Sequence, residues 1–335
     1  MNIIIFNLME AANKITFNLS DFISIILQYY SYIDEYGQKI KEEKIDNKVF
    51  IKEENEKFTE FDYLSQKLLI NIIHKFYPYK NLIIIGEETL NDENDEKIID
   101  MNNKDKSSLL SSIEKISLHG EFNIPRDFNK SIDITNSEIS IFVDPIDGTK
   151  SLIKKNYNPV TSLFGLCIDN KPYIGFIHFI FSNNNKTYFN FPSQGIFEFE
   201  PFEHTFTKRC IQTNDNKFDF IISSTRKTEE MINFIKTFPN SEYYEESGLG
   251  TKSIKCLLED KIYFTTGKNS LGIWDICATS CLLNELGTDI YCFNGEKVKY
   301  IPKKILFSDN GVICVNKNKL NIFLEHVKKY YSQNI

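Results

Sequence analysis

The segment Asp-Pro-Ile-Asp-Gly-Thr at 144–149 carries the clearest chemistry in this sequence, and it directly follows an apolar, β-branched run at 139–143. Asp144 and Asp147 stand three residues apart at the end of this predicted strand, and Pro145 turns the chain between them. Both carboxylates and a freed backbone carbonyl can therefore bind one hard cation. The segment predicts a metal site.

The two residues that close the segment suit phosphate chemistry. Gly148 lets the backbone approach an anion closely, and the hydroxyl group of Thr149 can orient a water molecule. A simpler interpretation exists, because Asp-Pro and Asp-Gly are common turn formers and a strand can end in such a turn without any metal. Further acidic residues are needed to choose between the two interpretations.

Two other segments place carboxylates at the ends of predicted elements. An apolar run at 83–85 leads into Gly86, Glu87 and Glu88, and Asp275 stands where a helical pattern begins. Each could be an ordinary cap or turn. Carboxylates at three separate strand or helix ends are nevertheless what a Mg²⁺ site needs, because its oxygen ligands converge octahedrally and leave positions for water and phosphate. The combined pattern favours a magnesium site.

The order and spacing of these motifs resemble the lithium-sensitive, magnesium-dependent phosphomonoesterases, a family that includes inositol monophosphatase, inositol polyphosphate 1-phosphatase and 3'(2'),5'-bisphosphate nucleotidase. Four motifs carry the resemblance, in chain order Thr59-Glu60-Phe61-Asp62, Gly86-Glu87-Glu88, Asp144–Thr149 and Trp274-Asp275. Matching order and spacing of all four motifs is more specific than any one of them.

The resemblance implies a layered αβαβα sandwich of the inositol monophosphatase and fructose-1,6-bisphosphatase type, with α+β and α/β halves. The N-terminal α+β subdomain would cover residues 1–205 and carry most metal ligands, and the C-terminal α/β subdomain would cover 206–335 and close the active-site cleft. Periodicity alone predicts only mixed α and β structure in two subdomains.

The resemblance also implies a set of metal ligands. A first Mg²⁺ would be bound by Glu87, Asp144 and the backbone carbonyl of Ile146, and a second by Asp144, Asp147 and Asp275. Sharing of Asp144 agrees with electrostatics, because two neighbouring cations need a common carboxylate to offset their repulsion. A third, weaker ion is expected near Glu87, Mn²⁺ is an alternative to Mg²⁺, and Li⁺ is an expected inhibitor.

A catalytic pair follows from the same resemblance. Asp62 would polarise the hydroxyl of Thr149, which holds and deprotonates the attacking water. Asp62 also lies near the start of a predicted helix, where a carboxylate could merely cap the helix. Displacement at phosphorus would be in line and without a phosphoenzyme, and the amides of Gly148 and Thr149 would help to stabilise charge on the phosphoryl oxygens.

A glycine-rich segment bears on the substrate. Gly-Leu-Gly-Thr-Lys at 248–252 looks like the Gly-x-Gly-x-Lys element of the nucleotidase and polyphosphate branches, so Gly250 and Lys252 are candidate substrate contacts. Simple inositol monophosphatases lack this lysine. The Gly-x-Gly-x-Lys element therefore favours the nucleotidase and polyphosphate branches over the simple inositol monophosphatases, although a lysine can also be merely solvated.

A second segment divides the evidence on the substrate. The stretch at 223–228 is similar to a nucleotidase segment that helps to hold a second phosphate, which makes Thr225 and Lys227 candidate contacts, but Thr228 replaces a histidine there. Lys227 is more like the inositol polyphosphate 1-phosphatases, whereas Asp-Gly-Thr at 147–149 is the nucleotidase and monophosphatase form. A substrate with two phosphates is the common denominator.

The resemblance therefore implies a Mg²⁺-dependent phosphomonoesterase that removes one phosphate from a small bisphosphorylated metabolite. The expected substrates are a 3'(2'),5'-bisphosphate nucleotide, with adenosine 3',5'-bisphosphate converted to AMP, and inositol 1,4-bisphosphate, which would lose its 1-phosphate. The alternatives are an inositol monophosphatase or sugar bisphosphatase, and a catalytically silent sensor of a phosphorylated metabolite.

Composition limits the partners. The 335 residues, 41% apolar, suffice for one or two packed domains, and the net charge of −7 argues against a nucleic-acid polymer. Seven cysteines without a close Cys-x-x-Cys pair suit reduced thiols in the cytoplasm. The apolar run at 1–6 is short, so it supports neither a signal peptide nor a membrane span. We expect no membrane partner and a monomer or homodimer.

Periodicity predicts the elements that must position these residues. Helices are expected from about residue 8 to 42 and over 61–76, 228–236, 251–259 and 274–286, and strands near 160–168, 172–181, 186–199, 219–223 and 261–265. The polar stretch 91–138 predicts a surface insertion, a lid or a mobile loop, with a short helix around 107–116. The charge run 41–57 has mixed signs and predicts a solvated segment.

Overall fold

The computed structural model describes residues 15–52, 56–90, 104–118, 122–182, 185–211, 217–265, 271–302 and 311–333. The apolar run at 1–6 and residues 8–14 of the helix predicted from residue 8 lie outside the described residues. That helix prediction is wrong for residues 16–18, which form a short strand, and the helix begins at Leu19. Among the helices that the structure describes, none is both long and apolar enough to cross a membrane.

The strands are, in order, β1 (Thr16–Asn18), β2 (Val49–Ile51), β3 (Lys57–Thr59), β4 (Leu82–Gly86), β5 (Ser131–Asp133), β6 (Ile139–Asp147), β7 (Thr161–Ile168), β8 (Lys171–Phe179), β9 (Thr187–Phe191), β10 (Gly195–Glu200), β11 (Thr205–Arg209), β12 (Asp219–Ser223), β13 (Glu242–Glu246), β14 (Ile262–Phe264), β15 (Ile290–Cys292) and β16 (Val312–Cys314). The α-helices are α1 (Leu19–Lys41), α2 (Glu60–Phe76), α3 (Lys104–Ser111), α4 (Thr149–Ile153), α5 (Glu229–Ile235), α6 (Leu249–Glu259), α7 (Ile273–Asn284) and α8 (Lys317–Gln333). Short 3₁₀ turns lie at Ser112–Glu114 and Arg126–Phe128.

The larger sheet has the strand order β11-β10-β9-β8-β7-β6-β4. Its last two strands, β6 and β4, are parallel, and their register places Gly86 beside Val143. The backbone N–H of Glu87 donates to the Val143 carbonyl at 3.0 Å. Glu87, the first residue after β4, therefore lies beside Asp144 near the C-terminal end of β6.

Helices and a second sheet stack on the two faces of the larger sheet. Alternating side chains of β7 face opposite ways, so Phe164 packs in the core with α1 and α2, whereas Leu163 packs in the core with α6 and α7. The smaller sheet, β13-β12-β14-β16-β15, contributes to that second core, and α5 and α8 cover its far face around Phe234 and Phe323. These layers confirm the αβαβα sandwich.

Two glycines allow α7 to approach the larger sheet closely. A Cβ atom at Gly175 of β8 would lie 2.6 Å from the carbonyl oxygen of Ala278, and one at Gly165 of β7 would lie 2.5 Å from the Sγ atom of Cys277. Larger side chains would push the helix away from the sheet. The close packing brings Asp275, in the first turn of α7, to the edge where β4 and β6 end.

Helix α2 has the sequence pattern of an amphipathic helix with a strong start. Phe61, Leu64 and Leu68 are buried on its inner face. Thr59 and Asp62 form a reciprocal capping box at its N-terminus, with each residue bonding to the backbone N–H of the other. The helix predicted over 61–76 is thereby confirmed, and it begins one residue earlier.

Two predicted segments differ from the structure. The single strand predicted at 186–199 is wrong, because a turn that includes Ser193, with a φ of 71°, reverses the chain between β9 and β10. The insertion predicted at 91–138 is partly built into the fold, since β5 pairs with β1 and the ring of Phe128 stacks on Phe191 at 4.5 Å between centroids. Residues 91–103 and 119–121 lie outside the described chain.

The larger sheet continues slightly past the predicted subdomain boundary, because β11 still pairs with β10 through Arg209. The division into 1–205 and 206–335 stays a prediction.

Candidate active site

Three carboxylates from different elements meet at the edge where β4 and β6 end. Glu87, Asp144 and Asp275 each place an oxygen so that all three atoms lie within 4.8 Å of one another. The backbone N–H of Gly272 donates to Asp275 Oδ2 at 2.6 Å and fixes this carboxylate at the start of α7. Carboxylates at this spacing can share a divalent cation.

A bulge in β6 sets the next two candidate ligands beside this group. The pairing of β6 with β7 is interrupted between Asp144 and Asp147. Asp147 Oδ2 accepts hydrogen bonds from Thr161 Oγ1 at 3.0 Å and from the Gly250 N–H at 2.8 Å. The carbonyl oxygen of Ile146 lies 3.0 Å from Thr149 Oγ1. Asp147 is close enough for its charge to act on Asp144 and Asp275, but it is not one of the three carboxylates that meet within 4.8 Å in the described part of the chain.

The electrostatics of this group fit a metal site. Burial, followed by the charges of neighbouring carboxylates, raises the pKa of Asp144 and of Asp275 well above the usual range. Burial also raises the pKa of Asp147, although the nearby Lys252 opposes this shift. Hard oxygen donors that are crowded and hard to ionise together are the donor set that a divalent cation stabilises. The residues present fit Mg²⁺ or Mn²⁺.

A buried hydrogen bond joins the two residues predicted to be catalytic. Thr149 Oγ1 lies 2.8 Å from Asp62 Oδ1 and, as noted, close to the Ile146 carbonyl, so its single proton can be donated to either acceptor. The backbone N–H and the hydroxyl of Thr59 donate to Asp62 Oδ2 at 2.8 and 2.5 Å. Burial raises the pKa of Asp62 to about 6. Asp62 thus combines a capping role with a direct contact to Thr149.

Glycines make the turns around this pair. Gly148 has a φ of +90° and precedes α4, and Gly248 has a φ of +71° and precedes α6. A Cβ atom at Gly248 would lie 2.1 Å from the Pro159 carbonyl oxygen, and one at Gly250 would lie 2.2 Å from Thr161 Oγ1. The first turn of α6 can therefore approach Asp147 only with glycine at these positions.

Lys252 is a buried cation close to the carboxylates. Its side chain belongs to the first turn of α6 and is 5% exposed, with Nζ 5.2 Å from the ring centroid of Tyr263. Burial lowers the pKa of Lys252, while the charge of Asp147 acts in the opposite direction. A buried ammonium near this group of carboxylates is suited to an anionic ligand.

The structure places the other two predicted contacts on the surface. Thr225 and Lys227 are exposed. Lys227 Nζ lies 2.6 Å from Glu245 Oε1, and Thr225 Oγ1 lies 3.2 Å from Ser223 Oγ. A role for either residue in binding substrate stays a prediction.

Comparison with known proteins shows the family to which this architecture belongs. The model of the inositol monophosphatase family matches residues 16–331. The chain belongs to the inositol monophosphatase family. Solved members of this fold include staphylococcal IMPase-I complexed with products, at a TM-score of 0.63 and 14% identity over 92% of this chain and 95% of that one. An IMPase/NADP phosphatase complexed with Mg²⁺ and phosphate has a TM-score of 0.62 at 16% identity, with 92% and 95% of the two chains covered.

Curated relatives within the inositol monophosphatase family have different names. "Inositol monophosphatase 3" of Xenopus tropicalis is 25% identical over 75% of this chain, which spans 64% of the length of that relative. The "Golgi-resident adenosine 3',5'-bisphosphate 3'-phosphatase" of Mus musculus is 24% identical over 73% of this chain and 63% of its own. The human "3'(2'),5'-bisphosphate nucleotidase 1" is 21% identical over 78% and 79%.

Sequence reasoning missed Lys52, which lies at the edge of the candidate site. Its Nζ atom lies 2.8 Å from Glu88 Oε1 and 3.5 Å from Glu87 Oε1. Lys52 is part of the charge run 41–57, which was predicted to be solvated, and that prediction is wrong for this residue. A run of mixed charges does not indicate which lysine turns inward, because the direction of the Lys52 side chain depends on the pairing of β2 with β3.

Arg226 is a second residue that sequence reasoning left out, although it stands between the two predicted contacts Thr225 and Lys227. Its side chain is half-buried, and its positive charge acts on Lys252 and Asp275. The signal was present in the sequence, because an arginine binds phosphate in a bidentate manner that a lysine does not.

Proposed function

We propose that this chain is a Mg²⁺-dependent phosphomonoesterase that removes one phosphate from a small metabolite carrying two. The substrate is a 3'(2'),5'-bisphosphate nucleotide such as adenosine 3',5'-bisphosphate, an inositol 1,4-bisphosphate, or both. The observation that carries the proposal is the 2.8 Å hydrogen bond from Thr149 to Asp62, next to the cluster of Glu87, Asp144 and Asp275. A hydroxyl primed by a carboxylate beside metal ligands is suited to hydrolysis by water.

The proposed metal ligands are those that the family resemblance implies. They are Glu87, Asp144 and the Ile146 carbonyl for a first Mg²⁺, Asp144, Asp147 and Asp275 for a second, and Glu87 for a weaker third. When bound, these ions would supply positive charge that acidifies a water and stabilises the phosphoryl oxygens. We expect Mn²⁺ to substitute for Mg²⁺ and Li⁺ to inhibit.

The side chains of the chain itself would move the proton. The Thr149 hydroxyl accepts a hydrogen bond from the attacking water while it donates its own proton toward Asp62 Oδ1. As the water oxygen bonds to phosphorus and the bond to the leaving oxygen breaks, a proton passes from the water to Thr149 and from Thr149 to Asp62, and the leaving oxygen takes its proton from a solvent water. The bonds from Thr59 to the other oxygen, Asp62 Oδ2, keep Oδ1 directed at Thr149.

Two cations support a second phosphate on the substrate. Lys252 and Arg226 lie near Asp147 and Asp275 on the C-terminal side of the cleft. Both cations already lie near carboxylates, whose negative charge the proposed metal ions would offset, and a second phosphate could then bind the two cations. Gly250 contributes by letting its helix approach, and Thr225 and Lys227 are further candidate contacts.

Inositol monophosphatase activity is the second candidate, because several curated relatives and solved structures carry that name. A sugar bisphosphatase and a silent sensor remain as alternatives from the sequence.

The experiment is a phosphate-release assay with Mg²⁺ on adenosine 3',5'-bisphosphate, inositol 1,4-bisphosphate and inositol 1-phosphate side by side. Equal or faster phosphate release from inositol 1-phosphate would contradict the two-phosphate proposal. If the protein binds one of the three compounds but releases phosphate from none of them, the result would support the sensor.

A matched pair of variants tests the second-phosphate contact. Lys252→Met should raise KM for the two-phosphate substrate by about tenfold or more, since a charge-assisted bond to phosphate is lost. Lys255→Met is the control, because Lys255 lies about one turn further along α6 and forms an ion pair with Glu246. Equal KM values for the two variants would show that Lys252 does not bind the second phosphate.

Location and assembly stay predictions. We propose a cytoplasmic monomer or homodimer, whereas the mouse relative is named as Golgi-resident. Imaging of the tagged chain and light scattering of the purified protein test the two statements separately.

A further inference from the structure

We propose that residues 104–118 form a brace for α2, and that Lys106 within this brace is a positioning residue for the catalytic pair. The brace consists of α3, the 3₁₀ turn after it and the following residues through 118. It holds the first turn of α2 in the orientation that directs Asp62 at Thr149. This inference rests on the proposed function for its catalytic consequence, but the docking of the brace is a separate structural statement.

One end of the brace is fixed by a buried ion pair. Lys106 Nζ lies 2.5 Å from Glu60 Oε1, and the two residues are 4% and 1% exposed. Burying either charge without the other is strongly unfavourable, so the two side chains must stay together. An ordinary surface contact between α3 and α2 would not need buried charges.

The other end of the brace is held by backbone contacts. Lys75 Nζ, in the last turn of α2, donates to the Ile113 carbonyl at 2.6 Å. Gln28 of α1 donates to the Ser117 carbonyl at 2.8 Å and accepts from the Ser117 N–H at 3.1 Å. The brace therefore contacts both ends of α2 and also α1, rather than lying free on the surface as a lid would.

The ion pair acts on the residue that matters for catalysis. Glu60 is the first residue of α2, and Asp62 follows it within the same turn. The hydrogen bonds of Asp62 join it to Thr59 on one oxygen and to Thr149 on the other. A change in the orientation of this turn displaces Asp62 from Thr149, while the proposed metal ligands, which lie on β6, on α7 and just after β4, stay in place.

Two lysine variants separate positioning from general stability. Lys106→Met should lower kcat by about tenfold, which is less than the roughly 10²–10⁴-fold that loss of a general base costs, and should leave KM unchanged. Lys75→Met is the matched control, since it loosens the same brace at the end distant from Asp62, and we expect its kcat to equal that of the wild type. Lys106→Arg keeps the charge and should restore most of the lost kcat.

An activity-independent measurement accompanies these variants. Hydrogen–deuterium exchange in the peptide 56–66 should be faster in Lys106→Met than in Lys75→Met, because the Thr59 amide loses its stable bond to Asp62. If the wild type releases no phosphate from any substrate, the proposed function fails, and the exchange data still decide whether the brace orders the start of α2.

Specific outcomes would overturn the brace. They are an unchanged kcat in folded Lys106→Met, an equal loss of kcat in both lysine variants, or equal exchange rates in the two. If Lys106→Met does not fold, the double variant Glu60→Gln with Lys106→Gln replaces the charges by neutral amides of similar length. We expect this variant to fold with the same loss of kcat, and full activity in it would contradict the proposal.

Discussion

Asp62 makes the stability of the metal-free protein fall as pH rises above the acidic range. Burial raises the pKa of Asp62 from 3.8 to about 6, and its hydrogen bonds from Thr59 and Thr149 offset only part of this shift. Since the folded-state pKa is higher than the unfolded-state value, the stabilisation is fully present below 3.8 and is lost as the pH rises through about 6. Asp144 and Asp275, whose pKa values are raised by burial and by neighbouring carboxylates, act in the same direction.

The magnitude for Asp62 follows from these two pKa values. Each unit of pKa difference between the folded and unfolded states corresponds to about 1.4 kcal/mol in the free energy of unfolding. Only the part of the titration that falls within the measured pH range contributes to the observed change. Between about pH 5 and pH 7, the contribution of this one group to the free energy of unfolding should fall by about 1 kcal/mol. The contribution of Asp62 should therefore be smaller at neutral pH than at pH 5.

The assay is urea unfolding of the wild type and of Asp62→Asn in EDTA at several pH values in this range. We expect the wild type to lose about 1 kcal/mol relative to Asp62→Asn from pH 5 to 7, because asparagine does not titrate. His74 and His326, whose pKa values are lowered by burial, titrate in both proteins and cancel in the difference. A difference that stays constant with pH, or changes with the opposite sign, would refute the reasoning.

Three further predictions concern individual residues. Mg²⁺ should raise the melting temperature of the wild type at pH 7 by more than that of Asp275→Asn, and an equal rise in both would argue against Asp275 as a ligand. Thr149→Val keeps the shape but removes the hydroxyl, so kcat should fall by about 10²–10⁴-fold with an unchanged circular dichroism spectrum, and normal turnover would contradict the catalytic pair. Gly250→Ala should destabilise the protein by about 1–3 kcal/mol in thermal unfolding, because its Cβ atom would lie 2.2 Å from Thr161 Oγ1. Gly287→Ala, where nothing lies within 4 Å of the added atom, is the control and should cost only the backbone strain of a positive φ.

The central part of the site could be predicted because its signals are local. The spacing of Asp144 and Asp147 already implies a turn with two carboxylates, and Glu87 follows an apolar strand directly. The parallel pairing of β4 with β6 then brings these separate motifs together. Local sequence and ligand chemistry thus predict which carboxylates can bind a metal. The fold decides that these carboxylates lie close together.

Contacts that depend on tertiary pairing could not be predicted. Lys52 and Lys106 belong to polar stretches in which many lysines are solvated, and only the β2–β3 hairpin and the docking of α3 direct these two inward. Strand β13 was missed for another reason. It is an edge strand whose side chains are mostly exposed, so Glu242–Glu246 shows no alternation of apolar and polar residues.

Turns inside apolar stretches were the third source of error. The segment 186–199 reads as one strand because apolar residues continue on both sides of the reversal near Ser193. Aromatic packing explains this continuity, since Phe191 of β9 and Phe197 of β10 both contact the ring of Phe128. A sequence pattern reports burial, but it does not report that two neighbouring strands share the same core.

The most direct test of the metal site is the anomalous diffraction of Mn²⁺ soaked into crystals of this protein. We expect an anomalous peak within about 2.5 Å of carboxylate oxygens of Asp144 and Glu87 or Asp275, the distance at which divalent cations bind oxygen ligands. The absence of a peak among these three carboxylates at millimolar Mn²⁺, or a peak held only by other residues, would contradict the account.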